Sequence, residues 1–211
     1  MIFNFWLGKY GIIFARDNKF SQFYGFEILL IKKILSMSGP FGIMQGATKN
    51  DIKVGEEISR FLYVIPGVPK PHSAFPSVCA QITPENGVSF IRALGNLIQT
   101  SGTGLEIKSE FNKISEKLTK TYGMPQLIDS FNEGGLYSDY NDWMDSIANK
   151  ERQFYAFWSK NNGLQLPNNL NSIALGVLVE DTWQGNVYLE YTFDNFDDAV
   201  KEMDELEDDA L

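Results

Sequence analysis

Reactive side chains are scarce in this 211-residue sequence: Cys79 is its only cysteine and His72 its only histidine. One thiol cannot close an intrachain disulfide or build a four-thiolate metal site, and it fits a reducing setting, with the cytoplasm as the default expectation. One imidazole leaves Ser-His-Asp and Cys-His chemistry with a single candidate base. His72 stands between Pro71 and Ser73 in a proline-rich stretch, where a hydrogen-bonding loop residue is expected. Cys79 falls among Val78, Ala80 and Ile82, where cysteine behaves as a small core residue. Neither reads as reactive. Positive charge is short as well: 18 Lys and Arg stand against 27 Asp and Glu, a net charge of -9. Such a surface repels nucleic acid and anionic membranes over most of its area and attracts a basic protein partner. Long apolar runs are missing too. Lys9, Arg16, Asp17 and Lys19 interrupt the opening segment, and Phe26–Leu35 is too short to span a bilayer.

What is present is core-forming material, with 44% hydrophobic and 14% aromatic residues. The charge is uneven. Residues 1–36 carry Lys9, Arg16, Lys19, Lys32 and Lys33 against Asp17 and Glu27, so the acidic excess belongs to the remainder. The expectation is an N-terminal extension over 1–36, outside the fold, followed by a single α+β domain over 37–211. Aromatic residues beside basic ones would also suit an interfacial anchor, so membrane contact is expected only if 1–36 serves as one.

Thr48 and Asp51 have the spacing of a helix cap. Phe61–Ile65 reads as a strand, and Pro66–Pro76, with four prolines, as an extended loop. Val78–Ile82 and Val88–Leu94 form a hairpin around Pro84 and Gly87. A Thr103/Glu106 capping box opens a helix whose apolar positions Ile107, Phe111, Ile114 and Leu118 share one face, ended by Gly123 and Pro125. A second helix is predicted over 141–160 from Trp143, Ile147, Phe154 and Trp158. Alternation in 173–179 and 187–193 gives another hairpin, turning at Gln184-Gly185-Asn186. Asn195 caps a last helix with Phe196, Val200, Met203 and Leu206 on one side. Together these predict an antiparallel sheet of about five strands, two hairpins plus one strand, with helices packed against it.

Phe41-Gly42-Ile43, Gly46-Ala47-Thr48, Asp51-Ile52, Pro69-Lys70-Pro71-His72, Tyr122-Gly123-Met124-Pro125, Trp158 and a final hairpin ending in Tyr191 resemble a group of small bacterial and prophage proteins without a characterised activity. The resemblance implies a bacterial or prophage setting and no particular chemistry. The Gly-x-Thr start also recurs in lipoproteins of the outer-membrane assembly type, but this sequence has no lipoprotein cysteine near its N-terminus.

The motifs of this sequence exclude more than they establish. Calcium-loop readings starting at Asp129 or Asp139 fail, with Phe131 or Lys150 where oxygen ligands are required. Gly102-Thr103-Gly104 lacks the third glycine and the lysine of a phosphate loop. No catalytic residue, metal ligand or cofactor is therefore assigned. The most function-like feature is the acidic final helix. Asp197, Asp198, Glu202, Asp204 and Glu205 are the candidate partner-binding residues, facing a basic protein. The resulting expectation is a non-enzymatic bacterial binding protein of the immunity or phage-inhibitor type. Its alternatives are a carboxylate-based or metal-dependent hydrolase and a peripheral membrane protein anchored by 1–36.

Overall fold

Alternation of apolar and polar side chains lays down strand after strand between residues 39 and 208, the part of the protein that the computed structural model describes. The expected extension over 1–36, with its anchoring role, lies outside the described residues. Nine strands join one sheet: β1 (Glu57–Ser59), β2 (Leu62–Val64), β3 (Ser77–Thr83), β4 (Gly87–Leu94), β5 (Ile98–Gln99), β6 (Gln126–Phe131), β7 (Arg152–Ser159), β8 (Leu170–Asp181) and β9 (Gln184–Phe193). Their order is β1-β2-β3-β4-β9-β8-β7-β6, with β5 also paired to β9. Every pairing is antiparallel. The α+β class is as expected, but the sheet has nine strands among the described residues and not about five.

Both expected hairpins form. In the first, Gly87 adopts φ 60, and a Cβ there would meet the Gly46 carbonyl oxygen at 2.4 Å, so only glycine fits this tight approach. In the second, the turn is Thr182-Trp183, because Gln184, Gly185 and Asn186 already belong to β9. The Asp181 carboxylate closes that turn by accepting the Trp183 amide at 2.7 Å.

Among the described residues three α-helices cover the sheet: α1 (Leu105–Tyr122), α2 (Trp143–Ala148) and α3 (Phe196–Asp208). α1 buries the expected stripe, Ile107, Phe111, Ile114 and Leu118. Each such side chain contributes about 1.5–3 kcal/mol on burial. The expected capping box does not form. The Glu106 carboxylate accepts from the Thr100 hydroxyl at 2.6 Å, and the Thr103 hydroxyl pairs with that of Ser101. Gly104 opens the helix instead, at φ 68, and the Trp143 ring of α2 lies where its Cβ would be. Close packing of α2 thus accounts for the Gly102-Thr103-Gly104 sequence: the Gly102 carbonyl accepts the Met144 amide at 2.9 Å.

The long helix predicted over 141–160 is α2 followed by a strand. Lys150 takes φ 60 and ends the helical region, after which Arg152–Ser159 pairs with β6 on one side and β8 on the other. The Thr48/Asp51 pair bonds as expected, with the Thr48 amide and hydroxyl both donating to the Asp51 carboxylate, but it closes a turn and no helix follows.

Register divides the sheet into two faces. Ile91, Ile173, Leu175, Leu189 and Tyr191 face α1 and α2, forming the core with Trp158 and Phe193. Phe90, Gln81, Arg92, Glu190 and Cys79 point to the other face, which α3 covers at the β3–β4 end.

Candidate functional site

The acidic helix α3 is held by polar groups that its sequence pattern hides. Ala199 and Glu202 are its buried residues, whereas Phe196, Val200 and Met203 are half-buried and Leu206 is exposed. Positions 195, 199 and 202 therefore make the inward stripe, one step round from the expected one. Asn195 does not cap with its side chain. Its Nδ2 donates to the Asn86 and Val88 carbonyls at 2.9 and 3.2 Å. Seven residues on, the Glu202 carboxylate accepts from the Glu85 amide at 2.7 Å, the Asn86 amide at 3.1 Å and Asn86 Nδ2 at 2.8 Å. Two side chains thus clamp α3 to the β3–β4 turn. Burial works against the charge of Glu202, but hydrogen bonding from Glu85 and Asn86 outweighs it and holds the carboxyl below its ordinary value. Glu202 leaves the candidate partner-binding set: at 8% exposure it faces its own protein.

The other four candidates, Asp197, Asp198, Asp204 and Glu205, are exposed, together with Glu207 and Asp208. Basic groups close to them are few among the described residues. Lys201 lies 3.7 Å from Asp198, and Arg60 pairs with Glu207 at 3.2 Å, both in solvent-exposed pairs that contribute little to stability. The outcome is a rigidly seated helix presenting an acidic surface.

Across the sheet lies a cavity of different character, about 370 Å³ in volume. Phe41, Phe75, Leu118 and Leu189 supply apolar walls, and Tyr122 and Tyr191 add phenols. Phe41 adopts φ 53, a left-handed conformation that costs a non-glycine residue about 1 kcal/mol or more. That backbone sets its ring edge-on to both Phe75 and Tyr191, at 6.1 and 6.2 Å. The Phe41 carbonyl accepts the Lys70 amide at 2.9 Å, tying the segment to the proline-rich loop. Burial pushes the Tyr191 phenol well above its ordinary value and Tyr122 upward, so both stay protonated. Phe41, Lys70, Pro71, His72, Tyr122 and Tyr191, quoted above for a resemblance, all line this one cavity.

The remaining chemical candidates separate. Cys79 Sγ donates to the Arg92 carbonyl at 3.5 Å on the α3 face, and burial pushes its thiol up. His72 lies on the α1 side, beside Leu189 and Tyr191, with its Nδ1 accepting the Ala74 amide at 3.2 Å. The conceivable Cys-His pair is split by the sheet. Glu106 and Glu110 share a second cavity of about 290 Å³, but the first is hydrogen-bonded by Thr100 and the second pairs with Lys113 at 3.2 Å. Among the described residues no group of three or more His, Cys, Asp or Glu side chains could hold a metal ion. Among the same residues, no helix is long and apolar enough to cross a membrane. No protein-family model matches the chain, nor does any curated protein or solved structure.

Proposed function

We propose that the chain is a non-enzymatic protein-binding protein of the immunity or phage-inhibitor kind, engaging a basic partner through α3. One observation carries this reading: α3 buries a single acid, Glu202, in its own attachment and leaves Asp197, Asp198, Asp204 and Glu205 turned to solvent. A helix seated by buried hydrogen bonds presents its charges in a fixed array, which lowers the ordering cost of association. Negative potential concentrated in this way steers a cationic surface and suppresses acidic competitors.

Affinity capture from the bacterial host tests the reading, with the full chain and its Asp197→Lys/Asp198→Lys/Asp204→Lys/Glu205→Lys variant run side by side. A basic protein should be retained by the parent, lost by the variant, and released as salt rises from about 0.1 M to 1 M, where the screening length falls from about 10 to 3 Å. A partner held equally by both chains and indifferent to salt would sink the proposal.

A further inference from the structure

We infer that the cavity between α1 and the loop over 69–75 is a binding site for a small carboxylate with an aromatic or branched apolar body. The size comes first. At about 370 Å³ the cavity falls in the range of small-molecule sites, where apolar walls supply affinity and a few polar groups fix orientation. Its walls are rings and aliphatic side chains, with Phe75 and Leu118 buried and Phe41 held in place by its own left-handed backbone.

The polar lining then selects the charge. Acids outnumber bases by 27 to 18 in the chain, yet among the described residues no Asp or Glu lines this cavity, whereas Lys70, His72 and Lys117 do. Lys117 makes no ion pair among the described residues, and its position on exposed helix surface leaves the ammonium able to reach the mouth. His72 adds a donor. Its Nδ1 is occupied in accepting the Ala74 amide, so in the neutral ring the proton resides on Nε2. The Tyr191 phenol donates to that of Tyr122, which leaves the Tyr122 hydroxyl as one further donor in the lining. Cations and donors around an apolar hollow complement an anion with an apolar tail, and a cationic ligand of the same shape meets repulsion. The same chain thereby carries two recognition surfaces of opposite sign, one on each face of its sheet.

The test uses the full chain and three probes of one shape: 4-phenylbutyrate, 4-phenylbutanamide and 4-phenylbutylamine, each titrated by calorimetry. The carboxylate should bind saturably at one site per chain. The amide should bind roughly tenfold more weakly and the amine weaker still, as loss of one charge-assisted hydrogen bond implies. Lys117→Glu should weaken carboxylate binding at least about tenfold and spare the amine. Thr121→Trp, at an exposed helical position on the cavity wall, should exclude all three probes. Absence of saturable carboxylate binding, equal binding of the amine, or binding that survives both substitutions would each overturn the inference. None of these outcomes bears on whether α3 engages a protein partner.

Discussion

α1 and α3 are both amphipathic helices laid on the same sheet, one on each face, yet they are attached by different physics. α1 seats four apolar side chains, with the Phe111 ring tilted against that of Phe154 of β7, centroids 4.6 Å apart. α3 buries only an alanine and a carboxylate, with Phe196 half-buried against Phe90 and Asn195 bonded just before its start. Hydrophobic burial is non-directional and scales with area, so α1 tolerates small shifts and depends on volume. Hydrogen bonds to a buried carboxylate are directional and lose their worth when the charge is removed. The difference teaches that α1 stabilises the domain and α3 is positioned by it. On the proposed reading, a helix that presents charge benefits from a polar latch that fixes its azimuth.

The largest effect should come from breaking the apolar attachment. Phe111→Ala removes a ring that is 1% exposed and leaves a cavity between α1 and β7. It should cost about 3–5 kcal/mol of global stability, read as a lowered urea midpoint with unchanged slope. Next comes the latch. Glu202→Ala leaves the Glu85 and Asn86 amides without their acceptor and should cost about 1–3 kcal/mol. Its signature is local: amide exchange should accelerate at Glu85, Asn86 and along α3 while the α1 amides keep their protection. Uniform acceleration throughout would show that α3 is no separate attachment.

Acid sharpens the contrast. The carboxyl of Glu202 is held below its ordinary value of 4.5 in the folded protein, so its contribution is fully present above the unfolded value and is lost as pH falls through the folded one. The stability gap between the parent and Glu202→Gln should therefore be constant from neutral pH to about 5 and close as the pH falls below about 4. Phe111→Ala, which alters no titrating group, should keep a constant gap over the same window. Denaturant titrations of the three proteins at several pH values decide it.

Local signals were legible in the sequence and tertiary ones were not. The α1 stripe, the β3–β4 turn and the β8–β9 alternation each declare themselves within a few residues, and each is found in place. Phe154 and Trp158 misled because a four-residue step keeps the same face on a helix and on a strand alike. Ala156, buried between them, carried the period of two, and Lys150 with its left-handed φ marks where the helix stops. β5 and β6 were missed because they are short or exposed, without an apolar alternation of their own. Glu202 reads as one more surface acid, since the amides that donate to it lie more than a hundred residues away in the chain. The cavity is built from four separated segments, so its residues appear scattered until the sheet gathers them.

The smallest stability effect should accompany the exposed acids, and that is where the comparison is most discriminating. Asp204 and Glu205 lie in the second half of α3, where the helix end favours cations over anions. Asp204→Lys and Glu205→Lys together should shift stability by less than about 0.5 kcal/mol, and upward if at all, because they touch no buried group and reverse an unfavourable placement. On the proposed reading, acids placed against their own helix dipole serve recognition and not the fold. Thermal melts of the parent and the double variant, measured at low salt where such effects are largest, check this directly. A clear drop in melting temperature would mean that the outward acids help hold α3 in place, and the division between latch and display would fall.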